Sequence, residues 1–179
     1  MTLNQKISNY LNNSHPRVLG RYRASEIGSI RSGWKLPENY FKPDPISEEN
    51  YEIVLRGMAY EGMLNEILKG DCRCGDNQSK YEIKINDEIV LVCKPDYEWE
   101  TAVWETKYPS KPLSDIPLKY KDQLECEYRA TGKKVLLGVF GEPFNITLYE
   151  YKPSDKRWEN IKKDIITFHE AVKKYGEQI

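Results

Sequence analysis

Residues 81–107 read YEIKINDEIVLVCKPDYEWETAVWETK, and the fold turns on this stretch. Tyr81, Ile83 and Ile85 alternate with polar residues, the period of a half-buried strand. Asn86-Asp87 is a turn pair, and Ile89–Lys94 reads as the strand returning from it. A tight connection over residues 97–100 leads to a third strand at 101–107, which predicts a three-strand meander. Upstream, Ser47-Glu-Glu-Asn marks a helix start, with the helix running to about Lys69 and stopping at Gly70. Downstream, Ser114-Asp115-Ile116-Pro117 opens a second helix that ends at Gly132. Strands follow at 135–140 and 146–151, and a closing helix runs from Asp155 to about Tyr175. The N-terminal part holds a short helix over 3–13, then an irregular segment with Pro16, Pro37, Pro43 and Pro45 and one helical turn near 25–30. A meander followed by a crossover helix predicts an α/β fold, a mixed central sheet flanked by helices.

The chain has 179 residues, the length of one domain, and 27 Lys and Arg against 28 Asp and Glu. A net charge of -1 excludes a histone-like protein but leaves room for a localised basic surface. The mean hydropathy of -0.73 and the lack of a long apolar run give no membrane span, and the first residues lack a secretion pattern, so a cytoplasmic protein is expected. Cys72 and Cys74 form a C-x-C pair with no histidine nearby; Cys93 and Cys126 stand apart. Free thiols are the plain reading, with a structural metal on Cys72, Cys74 and Cys93 as its rival. His15 and His169 read as structural or exposed, and no glycine-rich phosphate loop is present.

The chemistry concentrates at the strand ends. Cys93-Lys94-Pro95-Asp96 closes the second strand and Trp104-Glu105-Thr106-Lys107 the third. Side chains alternate along a strand, so Glu105 and Lys107 share a face, and the hairpin brings Asp96 beside Glu105. Adjacent carboxylates repel unless positive charge lies between them. A divalent metal meets that need, and a lysine beside it can orient water and stabilise a phosphate. Glu61 falls on the helical stripe of Val54, Met58, Leu64 and Leu68, where an unpaired carboxylate is costly. Tyr120 and Gln123 share a helical face. From His15 to Lys35, the residues Arg17, Arg21, Arg23, Arg31 and Lys35 stand with Tyr22 and Trp34 around a single acid, Glu26, a pattern suited to single-stranded nucleic acid.

Pro95-Asp96, eight residues, then Glu105-Thr106-Lys107 resembles the PD-(D/E)XK nuclease motif. Gly57-Met-Ala-Tyr-Glu61 resembles the glycine-to-acid element of that family's first core helix. The run from Tyr120 through Gln123 and Tyr128 to Gly132 resembles the Tyr- and Gln-bearing helix of phage lambda-type exonucleases and their RecB and Cas4 relatives, and the Tyr120/Gln123 spacing fits the lambda type best. Arg23-Ala-Ser25-Glu-Ile-Gly28 resembles the serine-bearing element ahead of the core.

The resemblance implies a restriction-endonuclease-like αβββαβ core at residues 47–152, preceded by a basic and aromatic segment at 1–46 and followed by a helix at 153–179. It implies a Mg²⁺- or Mn²⁺-dependent deoxyribonuclease that processes DNA ends as an exonuclease in recombination, repair or replication. Glu61, Asp96, Glu105 and the main-chain carbonyl of Thr106 would bind metal, with Asp96, Glu105 and Lys107 catalytic. Tyr120, Gln123, Ser25, Arg23 and Arg31 would bind substrate. The cysteine placement departs from that of Cas4 proteins and argues against an iron–sulfur cluster. The lambda-type likeness brings a homo-oligomer into view, as well as a recombination or replication partner and a virus- or phage-encoded origin. A single-strand-specific endonuclease and a non-catalytic DNA-binding protein with the same fold are the alternatives. Plainer readings stay open for single residues: Asp96 as a turn residue, Glu61 at the stripe's margin, Glu105 and Lys107 on an exposed edge, and Tyr120 and Gln123 as a polar surface pair.

Overall fold

The computed structural model describes residues 1–13, 17–109, 111–141 and 145–176. His15 lies outside them. The elements run α1 (Leu3–Leu11), β1 (Arg21–Arg23), α2 (Ala24–Arg31), α3 (Tyr51–Ile67), β2 (Arg73–Cys74), β3 (Tyr81–Lys84), β4 (Val90–Cys93), β5 (Tyr97–Glu98), β6 (Ala102–Lys107), α4 (Leu118–Thr131), β7 (Lys134–Gly141), β8 (Asn145–Glu150) and α5 (Asp155–Gly176), with short 3-10 turns between some of them. The expected helices and strands stand in their expected order, but three short strands, β1, β2 and β5, lie where the sequence predicted irregular chain, a loop and a tight connection.

The expected meander is divided. β3 and β4 form the hairpin around Asn86, but β4 then pairs in parallel with β1, giving a three-stranded sheet in the order β1-β4-β3. The third strand belongs to a five-stranded sheet in the order β2-β5-β6-β7-β8. The physical cause lies between β4 and β5. Pro95 has no backbone N–H to donate to a ladder, so the chain leaves one sheet at Cys93 and enters the other at Tyr97. Asp96 stands at that junction. Its neighbour Tyr97 pairs with Trp104 in antiparallel register, which places Asp96 alongside Glu105 and Thr106.

From β6 the chain crosses through α4 to β7, which lies parallel to β6, and β8 returns antiparallel. α4 spans both sheets. Cys126 belongs to the core of Tyr22, Ile27, Leu91, Ile161 and Ile165, whereas Leu124 packs with Val103, Val135 and Leu137. Each of the large apolar side chains fully buried here contributes about 1.5–3 kcal/mol. Gly132 caps α4 in the left-handed region (φ 67°), donating its N–H to the Tyr128 carbonyl at 2.8 Å, as its position predicts. The α5 stripe of Ile161, Ile165, Phe168 and Val172 is buried, with Trp158 packed at its margin.

α2 and α4 approach closely at Gly28, where a Cβ would lie 2.4 Å from the Lys119 carbonyl oxygen and 2.8 Å from its Cα. α3 begins later than expected. Ser47 starts a 3-10 turn, its hydroxyl engaged with the Glu49 and Asn50 side chains, and the α-helix proper starts at Tyr51. Only one face of α3 is covered, with Leu64 buried and Met58 41% exposed, so Met58 is not part of the core stripe. Stacking of Tyr60 on Phe140 (4.6 Å between ring centroids) and Tyr108 (5.1 Å) holds the helix against the sheet. Among the described residues no helix is long and apolar enough to cross a membrane. All four cysteines are free thiols.

Candidate active site

Strand alternation, the Pro95 break and the covered face of α3 direct a set of charges into one cleft. Asp96 is fixed first. Its Oδ2 accepts hydrogen bonds from the Thr106 N–H at 2.8 Å and the Thr106 hydroxyl at 2.7 Å, and its carbonyl accepts one from Gln78 Nε2 at 3.2 Å. Glu105, 4% exposed, projects from β6 and pairs with Lys107 on the same face. Glu61 enters from α3, whose backbone is held by a bond from the Tyr97 hydroxyl to the Glu61 carbonyl at 3.2 Å. Gln123 enters from α4 and donates to Glu127 Oε1 at 3.0 Å. Glu61, Asp96, Glu105 and Gln123 line a cavity of about 420 Å³, together with Arg23, Ser25, Gln78, Lys80 and Lys94.

The electrostatics are unbalanced. Burial, then Glu105, pushes the Asp96 carboxyl up to about 7. The same two causes raise Glu61. Burial and then Glu105 hold the Glu127 carboxyl well above the usual carboxylate range. Burial opposes the Lys107 ammonium, but Glu105 and Asp96 overcome it and raise its pKa. Lys107 therefore acts on Glu105, Asp96 and Glu127 at once, while Lys94 acts on Glu61. Among the described residues no other group donates to Glu105 Oε2 or Glu127 Oε2, and the Glu127 carboxyl, held protonated, can donate to Glu105. The carboxyls raise one another, which positive charge placed between them would relieve, and their all-oxygen donors suit a hard cation such as Mg²⁺.

The crystal structure of SSO0001 is similar over 94% of this chain and 85% of that one, at 16% identity and a TM-score of 0.66. That of an alkaline exonuclease from Laribacter hongkongensis, LHK-Exo, is similar over 97% and 95%, at 13% identity and a TM-score of 0.61. The same exonuclease in complex with dAMP gives a TM-score of 0.58 at 14% identity, over 89% of this chain and 92% of that one. The chain shares its fold with these structures, among them that of an alkaline exonuclease. No protein-family model matches the sequence, and no curated protein does either.

Within that shared fold, the structure brings Glu61, Asp96, Glu105, Gln123, Ser25 and Arg23 to one cavity, with Lys107 and Thr106 bonded to its carboxylates. Tyr120 lies beside it, its ring 5.9 Å from Lys107 Nζ and 4.9 Å from Lys119 Nζ. Arg31 is elsewhere. It lines a separate depression between α2, α4 and α5, bonded to Asp122 at 2.6 Å and Asp164 at 2.7 Å. Most of the basic N-terminal segment is likewise engaged within the fold. Arg17 and Lys35 pair with Glu26, Arg21 pairs with Glu82, and Tyr22 is fully buried. Arg23 reaches the cleft, and Trp34 stands 87% exposed.

Sequence reasoning missed Glu127, Lys94, Lys80 and Gln78. A signal existed for Glu127, which follows Gln123 by four residues and so lies on the same face of α4. Lys94 directly precedes the Pro95 break, whereas nothing in the local sequence marks Gln78 and Lys80.

Proposed function

We propose that this protein is a metal-dependent DNA nuclease acting on DNA ends as an exonuclease. The observation that carries the reading is the cleft that gathers the carboxylates of Glu61, Asp96 and the buried Glu105, with Lys107 paired to Glu105. The fold it shares with an exonuclease solved with dAMP supports it. Asp96, Glu105, Glu61 and the Thr106 carbonyl would hold Mg²⁺ or Mn²⁺. The ion, when bound, supplies Lewis-acid polarisation of a phosphoryl oxygen and a more acidic water.

The chain's own residues provide the rest. Thr106 orients Asp96 through two hydrogen bonds to one oxygen, leaving the other oxygen of that carboxylate for the cation. Lys107 keeps its proton beside Glu105, so it acts as a fixed positive charge that orients water and stabilises charge on the phosphate. Gln123 and Glu127 support the wall behind Glu105. Arg23, Lys80 and Lys94 bring cations to the cleft mouth, where a DNA backbone would pass. Ser25 on α2 offers a hydroxyl to the same path.

The test is degradation of end-labelled linear and covalently closed circular DNA, single- and double-stranded, with Mg²⁺, Mn²⁺ or EDTA. Wild type should remove linear DNA only with metal present, and Asp96→Ala should lose activity by about 10²–10⁴-fold. Cutting of circles would keep the site and make the protein an endonuclease. No cleavage, with equal DNA binding by wild type and Asp96→Ala, would replace catalysis by a binding role.

A further inference from the structure

On the side of the molecule formed by the β3–β4 turn and α5, a second group of ligand-bearing side chains meets. His169 on α5 is 2% exposed. Its Nδ1 lies 2.8 Å from the Tyr22 hydroxyl on β1. Its Nε2 is buried, has no hydrogen-bond partner among the described residues and faces Glu88 Oε2 at 3.5 Å. Glu170 is the next residue on α5. One ligand atom from each of Glu88, His169 and Glu170 lies within 4.8 Å of the other two, and among the described residues this is the one trio of His, Cys, Asp or Glu gathered so closely. A buried imidazole nitrogen without a partner calls for a physical account, and this one faces the exposed carboxylate of Glu88, with that of Glu170 close by.

We propose that Glu88, His169 and Glu170 form a second metal site, separate from the nuclease cleft, that takes Zn²⁺. One imidazole nitrogen and two carboxylate oxygens make a three-ligand set that leaves a fourth position to water. The imidazole favours zinc over Mg²⁺, which prefers oxygen donors. Tyr22 does for His169 what an outer partner does in zinc proteins. With the ion bound, the ring proton would sit on Nδ1, directed at the Tyr22 oxygen, and free Nε2 for the metal. Glu88 is prearranged by its turn, where the N–H groups of Glu88 and Ile89 both donate to Asn86 Oδ1 at 2.9 and 2.8 Å. In the ion-free protein Lys173 Nζ lies 3.1 and 3.2 Å from the two Glu88 oxygens and competes with the cation. The ion would tie the hairpin turn to α5 and, through Tyr22, to β1. Its role is to stabilise this fold, and the inference does not depend on the nuclease reading.

The test uses untagged, EDTA-stripped full-length protein carrying Asp96→Asn and Glu105→Gln to silence the cleft, and Cys72→Ser and Cys74→Ser to remove thiol ligands. Titration calorimetry with ZnCl₂ should give one ion per chain, and the melting temperature should rise with zinc concentration. Glu88→Gln and Glu170→Gln alter exposed side chains, so they should fold normally, as metal-free melting will verify. Each should weaken binding about tenfold or more. Lys173→Met should tighten it by removing the competitor. Absence of zinc binding up to millimolar concentration would overturn the proposal, as would affinity unchanged in both glutamine variants.

Discussion

The two faces of α4 carry the same kinds of residue and treat them in opposite ways. On the side facing α2 and α5, Asp122 accepts from Arg31 at 2.6 Å and Arg157 at 2.7 Å. Nearby, Glu125 accepts from Arg129 at 2.8 Å, from the Ser154 N–H at 2.9 Å and from the Tyr151 hydroxyl. Every carboxylate oxygen of Glu125 has a partner, and the residue is fully buried. On the side facing the cleft, Gln123 and Glu127 back a group in which, among the described residues, two carboxylate oxygens have no donor but each other's carboxyl. Buried charge of the first kind holds helices together. The second kind raises the energy of the protein until something positive arrives. Burial and residue type alone would not separate the two faces, but hydrogen-bond completeness does.

The comparison can be broken by experiment. If the α2/α5 side is structural, Glu125→Ala should destabilise the protein by about 3 kcal/mol in urea unfolding, because it strands Arg129, Tyr151 and the Ser154 N–H at once. A loss under half a kcal/mol would remove the distinction. Glu98 is an intermediate case, with one oxygen bonded and the other without a partner. Burial raises its carboxyl, but bonds from Lys133, Ser79 and Tyr81 outweigh that and bring it down to about 2. A carboxyl depressed in the folded state contributes stability above its unfolded pKa and loses it as pH falls. Its share should therefore be about 3 kcal/mol at neutral pH and vanish between about pH 4.5 and 2. Glu98→Gln should flatten that interval of the stability profile, and an unchanged profile would mean the bonds do not hold the charge. The smallest effect is the most telling. Glu105→Gln should abolish nuclease activity while changing metal-free stability by no more than about 1 kcal/mol, since relief of repulsion with Asp96 and Glu61 is set against the loss of the Lys107 pair. A loss of about 3 kcal/mol would place Glu105 with the structural carboxylates.

Much of this was legible in the sequence, for reasons visible in particular elements. The Tyr81–Ile85 alternation, the Asn86 turn and the Gly132 cap are local signals, and each produced its element. Asp96, Glu105 and Lys107 were readable because their association follows from strand period and one hairpin. The division into two sheets was less so, because Pro95 reads equally as the end of a strand or as a step between sheets. The N-terminal cations looked available because their acidic partners are distant in sequence. Arg21 meets Glu82, and Arg31 meets Asp122 and Asp164. Met58 fell on an apolar stripe that the fold covers only in part, since helical period locates a face but not what packs on it.

The contact at Gly28 has a consequence for the cleft. Ser25 lies one turn from Gly28 along α2, and Gln123 lies one turn from Lys119 along α4, and both line the same cavity. With the Lys119 backbone 2.4 Å from where a methyl group would sit, any side chain at residue 28 must drive the two helices apart. The width of the passage between Ser25 and Gln123 is thus gauged by a hydrogen atom. A single methyl group, placed outside that passage, would change its width without touching one of the residues that line it.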